Sequence, residues 1–268
     1  MIEEIFRVEK ERRLKIWQQV LLITAGLYVV SLVILAATDN PNLFPTVVLL
    51  GSVAVPVTFV TFLWENRRLT KLSWPEVGLS FLYGGALSIL LAGILEPVFI
   101  QRLTIGNLFS AAAIEEAAKI LVLVYLVRFR RHISEQDGII FGAAVGMGFA
   151  ALESTGYSFT AFVETGGSLS LTVLLTLFRA LLSPAGHGTW TAILAGVLFL
   201  ESTPFHFRIT GKVLLAYLGV TSLHGLWNGL PFLLAGPAVI VGQLVVAAAG
   251  LLVLAWLWEG SKRRQEKL

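Results

Sequence analysis

The sequence predicts an all-α, polytopic membrane protein with about eight transmembrane helices and both termini in the cytoplasm. Three observations carry that prediction. Of the 268 residues, 56% are hydrophobic and only 14% charged, with a mean hydropathy of +0.80, a composition typical of chains that live in lipid. Apolar stretches of about 20 residues, each long enough to cross a hydrocarbon core as a helix, recur along the chain. The basic residues gather in alternate connections, so the net charge of +3 reads as membrane topology and not as nucleic-acid binding.

Eight stretches qualify, at about 17–37, 44–64, 77–96, 105–127, 138–160, 178–200, 212–231 and 237–258. After the second come Arg67, Arg68 and Lys71; after the fourth, Arg128, Arg130 and Arg131; after the sixth, Arg208 and Lys212. The intervening segments TDNPN, VETGGS and Gly236-Pro237 carry no Lys or Arg, and EPVFIQR carries Arg102 alone. The positive-inside rule then puts both ends and every basic connection in the cytoplasm, which requires an even number of spans. The leader MIEEIFRVEKERRLK is too charged for a signal peptide. Its Ile2, Ile5, Phe6 and Leu14 form one stripe of an interfacial or solvated leader over residues 1–16. Residues 259–268 form a basic cytoplasmic tail.

The sixth region is longer than one span needs and contains Arg179 and Pro184. A short outer-leaflet or re-entrant helix over 168–183, followed by a span kinked at Pro184, is the expectation. Glycines recur at four-residue spacing in Gly138, Gly142 and Gly146 and again in Gly225 and Gly229, which lets helix backbones approach closely. No repeat or linker divides the chain, so residues 1–268 form one transmembrane domain, with helices 105–230 carrying the chemistry. The absence of cysteine removes disulfides, thiol nucleophiles and Cys-based metal sites.

That chemistry is legible because charges inside apolar runs are costly, by about 3 kcal/mol each on insertion scales, and so mark function. Span four holds Glu115, Glu116 and Lys119; span five Glu153; span six His187; span seven His224 and Asn228. A rise of about 1.5 Å per residue puts Glu115, Glu153, His187 and His224 roughly 10 to 15 Å below the same side of the membrane. One layer can therefore hold them. Lys119 lies three and four residues from the two glutamates and can reach either on one face. Two acids with one base leave an uncompensated carboxylate, which calls for a proton, a metal or a second cation.

Imidazole and carboxylate are good ligands for Zn²⁺, and a catalytic zinc keeps three protein ligands and an open position. Glu153, His187 and His224 meet that count. Glu115 or Glu116 then serves as general base toward water, Lys119 orients that base, and Asn228 donates to a developing oxyanion. A serine mechanism lacks its sequence context around Ser154, Ser183 and Ser222. An aspartyl mechanism fails because the two aspartates, Asp39 and Asp137, fall at span ends. His132 and His206 lie in basic connections.

The ordered set EEAAK (Glu115 to Lys119), FAALE (Phe149 to Glu153), His187 and HGLWN (His224 to Asn228) resembles the PrsW intramembrane proteases, over residues from about 105 to 230. That family belongs with the CAAX prenyl endopeptidases and bacteriocin-processing proteins. The EExxK and FxxxE forms favour PrsW over the EExxxR and FxxxH of the CAAX enzymes. The resemblance implies hydrolysis of a peptide bond of a membrane protein or membrane-associated peptide, in the cell membrane, with the double glutamate and the histidines catalytic. The attacking water is metal-bound or glutamate-activated. An anti-sigma-factor-like substrate is the family's association and is not transferred by resemblance alone. The alternatives are a proton- or cation-coupled transporter using the same Glu/His cluster as a relay, and a scaffold with an internal polar network.

Overall fold

The computed structural model describes residues 14–68, 70–102, 104–130 and 134–265. The leader stripe on Ile2, Ile5 and Phe6, the connection residues Arg131 and His132, and the end of the basic tail lie outside them. Where no water competes, backbone amides must bond within their own segment, so the apolar runs become helices. These are α1 (Ile16–Thr38), α2 (Phe44–Glu65), α3 (Trp74–Phe99), α4 (Ile105–Val127), α5 (Glu135–Glu164), α6 (Leu169–Leu182), α7 (His187–Glu201), α8 (Gly211–Leu233) and α9 (Pro237–Gln265). No strand occurs among the described residues.

Six segments are long and apolar enough to cross a membrane: Ile16–Thr38, Pro41–Glu65, Trp74–Phe99, Glu135–Glu164, Leu169–Glu201 and Pro237–Arg264. The other two expected spans, α4 and α8, match them in length with 23 residues each. What sets them apart is polar content at mid-helix: α4 carries the three charges Glu115, Glu116 and Lys119, and α8 carries His224 and Asn228 among its glycines.

Polar contacts gather many helix termini at one end of the bundle. Glu65, at the close of α2, accepts from the first amides of α1, Ile16 N at 3.0 Å and Trp17 N at 3.1 Å. Arg68 N donates to Gln136 Oε1 at 2.7 Å, beside the start of α5. Arg130 after α4 pairs with Glu76 in the first turn of α3. Arg264 of α9 grips Glu135 with two bonds of 2.7 and 2.8 Å. The same end holds the basic connections.

α5 is the axis of the fold. A reciprocal cap at Ser134 and Asp137, with bonds of 3.0 and 3.1 Å, starts it three residues before the expected boundary. Every residue from Glu135 to Ala151 is buried. α7 runs antiparallel along it at backbone contact, because a Cβ on Gly138, Gly142 or Gly146 would collide with the carbonyl oxygens of Ala195, Thr191 and His187 respectively. This is the close approach that the glycine spacing predicts. On the other side, Gly148 abuts the Phe81 carbonyl at a π turn in α3 (Ser80–Gly84) and faces Gly85. The second pair divides: Gly225 packs against the Phe109 ring, whereas Gly229 has open space beside it.

Region six has the expected short helix ahead of Pro184, but the span that follows is not a helix from near Phe178 kinked at that proline. α6 ends at Leu182, a short 3-10 turn covers Ser183–Ala185, and a separate helix begins at His187. Pro184 has no N–H to give the Ala180 carbonyl, and Ser183 Oγ takes that acceptor at 2.7 Å. Gly186 then turns the chain at φ −111° and ψ −125°. His187 is thus the first residue of a helix and not a mid-helix residue.

Candidate functional site

Five helices deliver the polar centre, each with a face its neighbours cannot supply. α4 contributes Glu115, Glu116 and Lys119; α5 Phe149 and Glu153; α6 Arg179; α7 His187, Trp190 and Thr191; α8 His224 and Asn228. The Lys119 ammonium is fully buried, donating to Glu116 Oε1 at 2.8 Å and Glu115 Oε2 at 3.2 Å. It also meets His187 Nδ1 at 2.8 Å, so its three N–H groups have three acceptors. The Phe149 ring closes over it at 4.0 Å. A buried charge group is tolerable only when satisfied in this way.

The imidazole protons follow from those partners. Lys119 donates into His187 Nδ1, so the ring proton sits on Nε2 and is given to Glu153 Oε2 at 3.1 Å. His224 Nδ1 lies 3.1 Å from Glu116 Oε1, which as a carboxylate only accepts, so His224 Nε2 is left with a lone pair. That nitrogen is 3.8 Å from Glu115 Oε2, and His187 Nδ1 is 3.8 Å from the same oxygen. Trp190 stacks on His224 with centroids 4.6 Å apart and fixes its plane.

The sequence reading singles out Glu115, Glu116, Lys119, Glu153, His187, His224 and Asn228, and all seven meet here. Their arrangement sorts the carboxylates. Glu115 lines a cavity of about 840 Å³ together with Glu153, His187 and Asn228. Glu116 does not; it is fully buried behind Lys119, with Thr191 Oγ1 donating to its Oε2 at 3.1 Å. Glu153 accepts from Arg179 Nη2 at 2.6 Å on the same Oε2 that takes His187. Its Oε1 has no hydrogen-bond partner among the described residues.

One carboxylate and two imidazoles form a compact group: Glu115, His187 and His224 each offer one ligand atom, all within 4.8 Å of one another. The sequence-expected ligand set of Glu153, His187 and His224 shares two of these members. The donor chemistry suits a borderline divalent ion. Both imidazoles also have a ring nitrogen held by a carboxylate, Glu153 for His187 and Glu116 for His224, the arrangement common behind metal-ligating histidines. The residues present therefore fit a metal. Lys119 touches two of the three donors, so holding a second cation there requires its ammonium to withdraw onto Glu116.

Arg179, Thr191 and Trp190 escaped the sequence reading as site residues. Arg179 had a readable signal, a full charge inside an apolar run, equal in kind to the one that exposed Glu153. Thr191 and Trp190 had none, since hydroxyls and indoles are ordinary in membrane helices. The serines considered as nucleophiles are occupied: Ser154 Oγ accepts from Arg179 Nε at 3.2 Å, and Ser183 and Ser222 donate to backbone carbonyls of their own helices.

Comparison with known families gives one result. The family described as PrsW family intramembrane metalloprotease matches residues 73–256, about two thirds of the chain. Neither a curated protein nor a solved structure matches. The match spans α3 to most of α9 and includes all the residues assembled above.

Proposed function

Since the chain belongs to the PrsW family of intramembrane metalloproteases and hydrolyses peptide bonds of membrane proteins, we propose that Glu115, His187 and His224 hold its metal. In the same proposal Glu116 and Glu153 fix the two imidazoles. The carrying observation is that each histidine is held by a carboxylate at one nitrogen while the other nitrogen lies 3.8 Å from Glu115 Oε2. Zn²⁺ is the ion this donor set favours. When bound, it supplies Lewis acidity, polarising a carbonyl and lowering the pKa of a water molecule.

The protein groups do the rest. Glu153 Oε1, free in the cavity wall, takes a proton from the attacking water and returns it to the leaving amide nitrogen as the C–N bond breaks. Asn228 donates to the oxygen that gains charge when the new C–O bond forms. Lys119 balances Glu116, and Phe149 and Trp190 keep the inner side dry. Compared with the sequence expectation, Glu115 and Glu153 exchange roles.

The proposal extends to topology: eight spans, with α6 and α7 together making one broken crossing, and both ends cytoplasmic in the cell membrane. It is supported by the polar contacts that gather the basic connections and both described chain ends at one end of the bundle. The cavity lies in the opposite halves of α3, α4 and α8, so cleavage falls toward the non-cytoplasmic side. A single-span protein, of which an anti-sigma factor is one example, is the substrate class.

Metal analysis of protein purified without chelators or a His tag separates the ligand sets. Glu115→Ala, His187→Ala and His224→Ala are expected to lose metal outright. Glu153→Ala and Glu116→Gln are expected to bind it roughly 10–100-fold more weakly. Full occupancy in Glu115→Ala with none in Glu153→Ala would restore the original ligand set. Cleavage of single-span peptides in proteoliposomes, indifferent to every one of these changes and to chelation, would remove the proposed centre.

A further inference from the structure

Glu96 is a third carboxylate on the wall of the same cavity, beside Glu115 and Glu153. It sits in the last turn of α3, which ends at Phe99, and so stands between the cavity's outer end and Glu115. The other acids of the cluster have cations: Lys119 serves Glu115 and Glu116, and Arg179 serves Glu153. The Glu96 carboxylate has no hydrogen bond or ion pair among the described residues. Among the described residues, the basic side chains on the cavity wall are Arg179, engaged by Glu153 and by the face of Tyr157 at 4.1 Å, and His187, held by Lys119 and Glu153. Glu115 and Glu153 act on Glu96 repulsively across the cavity, and Lys119, whose ammonium is bonded to Glu115 and Glu116, offsets them in part without an ion pair to Glu96. The remaining polar lining, Asn107, Tyr157, Asn228 and Gln243, is uncharged.

A carboxylate beside two others in a part-buried cavity is stabilised by a cation, and no cation among the described residues forms an ion pair with Glu96. What enters the cavity is a peptide. Resting on the protease reading, we propose that Glu96 is a specificity-determining residue: it receives a Lys or Arg side chain of the substrate, on the stretch between the scissile bond and the outer membrane surface.

The test reads binding as well as turnover. Protein in phosphatidylcholine nanodiscs is titrated with fluorescent synthetic single-span peptides that differ only in carrying Lys, Gln or Glu at successive positions from the outer end of the span. At one or two adjacent positions the wild type is expected to bind the Lys peptide about tenfold more tightly than the Gln peptide. Glu96→Gln should abolish that preference, and Glu96→Lys should turn it toward Glu. An equal ranking in wild type and Glu96→Gln, or no charge preference at any position, overturns the proposal; if Glu96→Lys does not fold, the Glu96→Gln comparison decides alone. Charge-selective binding without cleavage would count against the protease reading and leave Glu96 standing. Cleavage without charge selection would do the reverse.

Discussion

The two halves of α5 are built for opposite purposes. From Glu135 to Ala151 every residue is buried, and glycines bring the helix into backbone contact with α7. From Leu152 to Glu164 the helix is mostly exposed, and Glu153 and Tyr157 border the cavity. The change comes at the depth where His187 begins α7 and Glu153 receives its imidazole proton. The dry half fixes α7, and with it His187, on rigid backbone, and the open half leaves space beside Glu153. The difference teaches that the site is placed where packing stops, because a peptide bond must reach groups that only tight packing can position.

Four substitutions break or sharpen that contrast. The largest effect is expected from Lys119→Met in the dry region, which strands Glu116 without its cation. Removing one partner of a buried pair costs about 3–5 kcal/mol, so a large drop in thermal midpoint in detergent is expected, with partial recovery by excess metal. An unchanged midpoint would mean that the ammonium is not buried as described. On the open side, Asn228→Ala should lower kcat by about 10²–10³-fold and leave the melting temperature alone. A loss of stability with little kinetic effect would make Asn228 a packing residue.

A smaller and sharper pair uses one change at two places on the same helix. Gly142→Ala puts a methyl group against the Thr191 carbonyl and 2.6 Å from the Ala195 Cβ, which should destabilise by about 1–3 kcal/mol. Gly156→Ala meets nothing within 4 Å and should stabilise by about 0.5–1 kcal/mol through helix propensity. Equal signs from the two variants, measured by denaturation in the same detergent, would erase the distinction between the halves.

The composition and the charge alternation were sufficient to read a helical membrane protein, because solvation in lipid acts on each residue separately and can be summed along the chain. The glycine stripe in α5 was equally plain, since four-residue spacing is a property of one helix. Glu115, Glu116, Glu153, His187 and His224 were found for the same local reason: each is out of place in an apolar run. The break before His187 was only half visible. Pro184 signals the lost hydrogen bond, but the new helix start also depends on the turn at Gly186 and on Ser183 capping Ala180.

What the sequence determined alone was therefore the solvent of this chain, its helical elements and the identity of its misfit polar groups, because these are one-residue or one-helix energies. The division of labour among those groups belonged to the tertiary structure. Which glutamate faces the cavity, which is sealed behind Lys119, which is tied up by Arg179 and which is left without a partner are settled by the packing of α3 to α8 around one space. Distances of 3 to 4 Å between helices far apart in sequence have no signature along it.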